Sequence, residues 1–245
     1  MSAAKKYEFT GETKEVFGVT LRQIRALVTI AGVVSAGVVS AGDVGGWVEK
    51  CTALDQHGNA WVYGDAWVYG DAQVSGNAQV SGNAQVSGNA QVSGDAHVSG
   101  NAWVYGDAHV SGNAQVSGNA WVSGNAWVYG DAQVSGDAHV SGNAHVYGDA
   151  WVYGNGRVYG DAWVYGNGRV YGDGSIFWAS KVGTENGTLT VFNSKDGTLT
   201  VTRGCFLGSV DSFIAKSKTV HDNKTHREYC LLIEVAKSRI VCKAE

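Results

Sequence analysis

The sequence repeats every six residues through its middle, and this period limits the possible folds more than any other feature. From Gly58 to Ile176 the chain follows the pattern G-[ND]-[AG]-x-V-[SY] without an insertion or a deletion. Glycine occurs 20 times at this spacing between Gly58 and Gly172, and Asn or Asp follows it each time. A strict short period of this kind predicts a solenoid, in which each repeat packs on its neighbours.

Each six-residue unit combines a short strand with a corner. Ala and Val stand two residues apart and face the same side of an extended chain, while the x residue and the Ser or Tyr face the other side. Gly followed by Asn or Asp indicates a turn, because both tolerate positive φ. Three units then close one triangular coil, and the coils stack about 4.8 Å apart in a rod roughly 32 Å long. A helix is excluded, because Gly and Asn at every sixth position would break it.

The composition fits this solenoid and excludes several other classes of protein. The chain has 245 residues, with 35 Gly and no Pro, 44% hydrophobic residues and 16% charged residues. It is neither disordered by composition nor collagen-like, and the lack of Pro suits coils that need every backbone donor. The net charge of −4 combines −7 in residues 58–176 with +3 in residues 177–245. This charge gives no reason to expect a nucleic-acid-binding protein.

The residues outside the repeat predict a cap at each end of the rod. Residues 6–27 alternate like a β-hairpin, and residues 1–27 form the predicted N-terminal cap. Residues 28–178 form the predicted solenoid, and residues 179–245 form a small C-terminal ββαα cap or binding module. The predicted elements of that module are strands at 188–192 and 198–202 around an Asp-Gly turn, a helix at 210–220 capped by Ser209, and a helix at about 224–240. Such caps protect exposed strand edges from end-to-end pairing.

The continuous repeat V-x-G-[ND]-A-x resembles that of the hexapeptide-repeat left-handed β-helix proteins, a superfamily that includes many trimeric acyltransferases. The segments Gly42–Glu49 and Gly58–Tyr63 resemble the YdcK-like hexapeptide proteins of enterobacteria and their phages, and Lys6–Lys14 is similar to the start of phage and prophage members. The resemblance covers nearly the whole chain. It implies a single-stranded, left-handed parallel β-helix, although crossover connections are usually right-handed. It implies no activity that transfers residue by residue.

The histidines of the repeat give no clear catalytic or metal site. They are His97, His109, His139 and His145. All occupy the outward x position, and no loop interrupts the coils to form a pocket around them. His109 and His145 share a column but stand two coils apart, too far for a joint metal site. We therefore expect no catalytic residue, no cofactor and no metal; an acyltransferase that uses a His at a groove between rods remains the alternative.

The remaining chemistry-bearing features indicate a protein of the bacterial cytoplasm. Cys51, Cys205, Cys230 and Cys242 form no C-x-x-C pair and are expected to be free thiols. The uncharged segment 26–42 reaches only the lower length limit of a membrane helix, and its Gly, Ser and Val content favours strands leading into the rod. No secretory signal is visible.

The nine Asp residues of the repeat raise the hypothesis of DNA mimicry, with carboxylates in place of phosphates. Residues 18 apart stack in one corner column, and only Asp131 and Asp149 are neighbours in such a column. The arrangement separates like charges while it keeps the turn residues. We therefore do not favour mimicry.

The outward aromatic residues form the most informative pattern. One predicted face is Gln and Ser in its first half and carries six rings in its second half, and a second face stacks Trp103 over Trp121 with Tyr105 alongside. The six rings are Trp127, Tyr129, His145, Tyr147, Trp163 and Tyr165. Exposed aromatic patches of this size are typical of contact surfaces. Stacking that only stabilises the coils is the other interpretation.

These patterns favour a non-enzymatic interaction or scaffold protein of phage or prophage origin. Its aromatic faces would bind a second or third copy, as a dimer or trimer, or a host bacterial protein, and inhibition of a host defence system is one such role. Neither nucleic acid nor membrane is an expected partner. Carbohydrate or envelope binding through the Trp columns is a further alternative.

Overall fold

A computed structural model describes residues 5–30, 38–172 and 174–241 of the chain. Three strands precede the main run of repeats: β1 (Tyr7–Val16), β2 (Val19–Ala26) and β3 (Val44–Val48). The repeats form β4 (Trp61–Val62), β5 (Trp67–Val68), β6 (Gln73–Val74), β7 (Gln79–Val80), β8 (Gln85–Val86), β9 (Gln91–Val92), β10 (His97–Val98), β11 (Trp103–Val104), β12 (His109–Val110), β13 (Gln115–Val116), β14 (Trp121–Val122), β15 (Trp127–Gly130), β16 (Gln133–Val134), β17 (His139–Val140), β18 (His145–Gly148), β19 (Trp151–Val152), β20 (Arg157–Val158), β21 (Trp163–Val164) and β22 (Gly168–Val170). The C-terminal elements are β23 (Ile176–Val182), β24 (Gly187–Ser194), β25 (Leu199–Arg203), β26 (Phe206–Ser209), α1 (Val210–Val220) and α2 (Asn223–Arg239).

Parallel pairing at a constant spacing of 18 residues builds the solenoid. Strand β10 pairs with β7 and β13, so that His97 lies between Gln79 and Gln115. The backbone N–H of His97 donates to the Ala114 carbonyl at 2.9 Å, and equivalent bonds join successive coils along the rod. Within the described residues, the strands form three sheets, in the orders β1-β2-β3-β5-β8-β11-β14-β17-β20, β26-β25-β24-β22-β19-β16-β13-β10-β7-β4 and β21-β18-β15-β12-β9-β6. The predicted all-β solenoid of three-unit coils is confirmed.

The inward positions and the corners explain why the repeat is so strict. The inward Ala and Val side chains between Ala60 and Val170 are at most 1% exposed, so the narrow interior has no room for larger residues. At the corners, glycine is required for two separate reasons, a positive φ and a close approach of the next coil. Gly100 has φ of +69°, and a Cβ at this position would lie 2.9 Å from the backbone N and O of Gly118 in the next coil.

The N-terminal hairpin covers the first coil. Strands β1 and β2 pair antiparallel, β2 pairs antiparallel with β3, and β3 joins the rod by parallel pairing with β5. The Tyr7 ring packs edge-on against Trp61, with ring centroids 6.4 Å apart. Lys6 is buried at this end, where its Nζ donates to the Ala60 carbonyl at 2.9 Å. Burial lowers the pKa of Lys6 to about 8, although the nearby charge of Asp55 acts to raise it.

The C-terminal module extends the second sheet of the rod, and its strands pair antiparallel where those of the rod pair parallel. Strand β22 pairs antiparallel with β24, and β24 then pairs antiparallel with β23 and β25, which pairs with β26. The two predicted strands correspond to β24 and β25, whereas β23 and β26 are additional strands that the sequence pattern did not predict. β26 lies outside the strict six-residue period and β23 begins only at the last residue of that period, Ile176, so no periodic signal marks either strand.

Two helices pack on this sheet close to their predicted positions. Ser209 caps α1 by accepting from the backbone N–H of Ser212, as predicted, and Asp222 caps α2 by accepting from that of Thr225 at 2.7 Å. A hydrophobic core separate from the rod joins sheet and helices. Its buried residues include Leu189, Val191, Val201, Phe213, Tyr229 and Ile233.

The uncharged segment 26–42 is only partly described. Residues 31–37 lie outside the described residues, and Ile30 and Val39 on either side form an antiparallel bridge. Among the described residues, no helix is long and apolar enough to span a membrane. The left-handed coil stays a prediction from the resemblance.

Candidate interaction surface

The 18-residue spacing brings the outward residues of each face into straight columns. On the third sheet, the x residues of β12, β15, β18 and β21 stack as His109, Trp127, His145 and Trp163. The Tyr residues two positions after three of these x residues form a second column beside the first. We call the six predicted rings on this sheet the aromatic ladder face: Trp127, Tyr129, His145, Tyr147, Trp163 and Tyr165.

The x column is a continuous stack of alternating imidazole and indole rings. The Trp127 ring centroid lies 4.5 Å from that of His109 and 6.0 Å from that of His145. His145 in turn lies 4.8 Å from Trp163. Because these rings bury its imidazole, the pKa of His145 is lowered from its usual value. His145 therefore stays neutral at physiological pH.

The tyrosine column is stacked still more regularly. Tyr129 and Tyr147 have ring centroids 4.7 Å apart, and Tyr147 and Tyr165 are 4.6 Å apart, with interplanar angles of 4° and 8°. Burial raises the pKa of all three phenols, so each remains a neutral hydroxyl. Edge-to-face contacts, with ring centroids 6.4 to 6.5 Å apart, join the two columns into one layer of rings.

The rings stack on each other with their faces and present their edges to solvent. Trp127 has a ring against each of its faces, yet its side chain remains 43% exposed, and Trp163 is 39% exposed. Aromatic edges carry partial positive charge, and the Tyr hydroxyl and the indole N–H are donors. Sugar binding on aromatic platforms requires open ring faces, which an interior member of this stack does not offer.

A second, shorter stack lies on the first sheet. Trp103 and Trp121 are stacked at 5.4 Å and 7°, and Tyr105 meets Trp121 edge-on at 6.4 Å, as the sequence predicts. His139 extends this stack at 5.1 Å from Trp121. The predicted aromatic faces did not include His109 and His139, which the structure shows to be members of ring stacks. Their spacing of 18 residues from a Trp was the available signal.

The C-terminal module covers one end of the aromatic ladder face. The Tyr165 hydroxyl donates to the Phe206 carbonyl at 2.9 Å, and the backbone of Trp163 exchanges hydrogen bonds with the side chains of Thr190 and Thr202. Tyr165 thus serves in part as an internal contact between rod and module. The open part of the face is centred on Trp127, Tyr129, His145 and Tyr147.

The corner columns show why Asp is mixed with Asn. Asn83 Nδ2 donates to Asn101 Oδ1 at 3.1 Å, Asn101 to Asn119 at 3.0 Å, and Asn119 to Asp137 at 2.8 Å. An ionised carboxylate only accepts, so Asp ends such a chain of bonds. The Asp residues that accept in this way are Asp95, Asp107, Asp131, Asp137 and Asp161. Their place in the corner ladders agrees with the expectation that the repeat does not form a phosphate-like stripe.

The described residues contain no group of three or more His, Cys, Asp or Glu side chains able to hold a metal ion. The three described cysteines, Cys51, Cys205 and Cys230, are free thiols. Cys230 lies 3.6 Å from Nε2 of His226, whose Nδ1 is 3.0 Å from the Ser217 hydroxyl. This contact was not predicted, although the i, i+4 spacing on one helix was visible.

Cation–π contacts made by two basic residues, Lys14 and Arg169, were also missed. Lys14 Nζ lies 4.2 Å from the Trp47 ring centroid and 4.5 Å from that of Trp67, and the Arg169 guanidinium lies 4.5 Å from Trp151. They cover Trp residues near the two ends of the rod. The aromatic ladder face has no such cationic cover in the contacts between described residues.

Comparison with known protein families bears on the repeat alone. The family model described as YdcK Beta solenoid repeat matches residues 72–88, 78–94, 84–100, 90–106, 114–130 and 132–148. No curated protein matches the chain. The chain is thus a β-solenoid repeat protein similar to the YdcK type.

Proposed function

We propose that this β-solenoid repeat protein is a non-enzymatic scaffold that associates with a second copy of itself through the aromatic ladder face. The observation that carries the proposal is the arrangement of the rings: a flat array over three successive coils, with ring faces stacked and ring edges exposed. Trp and Tyr anchors of this kind dominate the binding energy of many protein interfaces.

The spacing of the rows favours a second copy as the partner. Ring rows follow each other at about 4.6 to 4.7 Å in the tyrosine column. A partner contacts every row only if its own groups have the same spacing, and a second copy of the rod has it along its whole length. The indole N–H and Tyr hydroxyl donors on the exposed edges then meet the Tyr hydroxyl acceptors of the opposite copy.

A host bacterial protein is the other partner that this proposal includes. The phage or prophage origin, the bacterial cytoplasm as location and the inhibition of host defence belong to the same proposal and rest on the resemblance of the sequence. The acyltransferase alternative has less support. His145 of the aromatic ladder face is packed between the Trp127 and Trp163 rings, which leaves little room for a substrate at its imidazole.

The test is the molar mass of the full-length protein in solution, measured by size-exclusion chromatography with light scattering over a range of concentrations. We expect a dimer or trimer for the wild type and a monomer for the double variant Trp127→Gln/Trp163→Gln. Gln is chosen because the same column holds Gln73 and Gln91, so the coil tolerates it.

Trp151→Gln is the matched control. Trp151 is as exposed as Trp163, at 39%, but lies on a different sheet. We expect it to keep the wild-type mass. A monomeric wild type, or a double variant that still associates, would overturn the proposal. Heat released on titration with acyl-CoA would favour the acyltransferase instead.

A further inference from the structure

The C-terminal module contains a small cavity that is separate from the aromatic ladder face. It lies between the turn that joins β25 to β26 and the helices α1 and α2, and its volume is about 150 Å³. Three aromatic residues of its lining form a connected group. Phe206 and Phe213 meet edge-on at 5.2 Å, and Phe213 meets Tyr229 at the same distance. One wall is thus apolar and rigid.

Nitrogen-bearing side chains of α1, of its C-terminal cap and of β25 line the same cavity. Lys216 of α1 also lines it, with Nζ 5.4 Å from the Phe206 ring centroid. His221, which follows α1, lies 5.4 Å from the Tyr229 ring. Arg203 of β25 is the third, and Glu185 is the acidic residue of the lining.

Arg203 carries an unused donor. Its Nη2 donates to the Val182 carbonyl at 3.1 Å, but its buried Nε has no hydrogen-bond partner among the described residues. Leaving a buried donor unpaired is costly, and more so for a charged group. An anion that enters the cavity beside Arg203 does not reach this buried Nε, but it is attracted by the positive charge of the guanidinium.

We infer that this cavity binds a small carboxylate carried on a single compact apolar body, such as one aromatic ring. An apolar cavity of about 150 Å³ is large enough for benzene, so the volume admits one ring. The aromatic wall receives the apolar body. Arg203 and Lys216 supply two positive charges against one from Glu185, which selects an anion over its neutral analogue.

Calorimetry on the full-length protein tests whether the cavity selects a carboxylate. The two ligands are sodium benzoate and benzamide, which have nearly the same shape but differ in charge. We expect benzoate to bind at least about tenfold more tightly than benzamide. Lys216→Met should weaken benzoate about tenfold, the change expected when one charge-assisted contact is lost, and should leave benzamide unchanged. Lys216 is exposed on a helix, so its replacement spares the core.

Lys218→Met is the matched control, because Lys218 is an exposed lysine on the same helix and does not line the cavity. We expect wild-type affinity for benzoate. Equal weakening by both variants would show a general effect of charge and overturn the inference. So would the absence of benzoate binding to folded protein, or equal affinity for benzoate and benzamide.

A second measurement locates the bound ligand without relying on a variant. Cys205 is an exposed free thiol in the cavity lining, whereas Cys51 is exposed at the other end of the rod. Saturating benzoate should slow alkylation of Cys205 by iodoacetamide at least about threefold and leave Cys51 unchanged, as read by mass spectrometry of each peptide. Unchanged or equal rates at both thiols would contradict binding in this cavity.

Discussion

On the third sheet, the half that carries Gln and the half that carries the aromatic ladder face are joined by the same backbone hydrogen bonds between coils, but their outward side chains differ. In the first half, Gln73 donates its backbone N–H to Ala90 at 2.9 Å, and in the second half Trp127 donates to Ala144 at the same distance. Inward Val and corner Gly are identical in both halves. The comparison teaches that the inward and corner positions determine the coil, while the outward positions are free to carry a surface.

The largest expected effect comes from replacing a corner glycine, the residue that all units of the repeat share. Gly100→Ala places a Cβ at positive φ and 2.9 Å from the next coil. Positive φ alone costs about 1–2 kcal/mol, and overpacking adds about 1–3 kcal/mol. We expect the free energy of unfolding to fall by about 3 kcal/mol, measured by urea denaturation followed by circular dichroism.

Gly64→Ala separates these two causes. Gly64 has φ of +55°, but no atom lies within 4 Å of a Cβ built there. We expect only the conformational part of the loss, about 1–2 kcal/mol. Equal losses for the two variants would show that contact between corners is unimportant.

The next prediction exchanges the outward side chains of the two halves. Trp127→Gln removes stacks with His109 and His145 and should lower the free energy of unfolding by about 1–3 kcal/mol. Gln91→Trp places an indole next to His109 in the same column and should raise it by about 0.5–1.5 kcal/mol. Urea denaturation at concentrations where the chain is monomeric measures both. If both variants changed the free energy of unfolding in the same direction, the outward positions would not be free to exchange side chains.

A smaller effect is expected at the corner ladders. Asn101→Asp still accepts from Asn83 but can no longer donate to Asn119. We expect a loss of about 0.5–1 kcal/mol, since the bond is exposed to solvent. The reverse change, Asp107→Asn, keeps the bond from Asn89 and adds a donor towards Asn125, so it should be neutral or stabilising. Denaturant midpoints compare the two; destabilisation by Asp107→Asn would argue against the ladder.

The smallest prediction concerns pH. Burial between rings lowers the pKa of His145 in the folded state, below the value of about 6.5 expected in the unfolded chain. The unfolded state therefore takes up the proton first, and stability is lost as the pH falls through this range. His145→Gln should lose less Tm than the wild type between about pH 7.5 and pH 5.5. An identical loss would show that His145 does not contribute.

The coils were predictable from the sequence because one spacing determines every contact in them. Trp103 over Trp121 and Tyr129 over Tyr147 follow directly from a distance of 18 residues. The module was less predictable: β23 and β26 have no period, and their pairing depends on β24 and β25 in three dimensions. The contact between Tyr165 and Phe206 depends on where the C-terminal module packs on the rod, and no local sequence pattern encodes that position.

The constant spacing also gives the rod a frame of three units. Insertion of a single six-residue unit ahead of His109 would leave every coil intact, but would move Trp127 into the column that now contains Gln133, on another face. Insertion of three units would lengthen the rod by one coil and keep the rings in the same column as Gln73 and Gln91. A change in length by one unit thus preserves the fold but moves the aromatic ladder face to another side of the rod relative to the N-terminal half. Only a change by whole coils keeps that face in its present position.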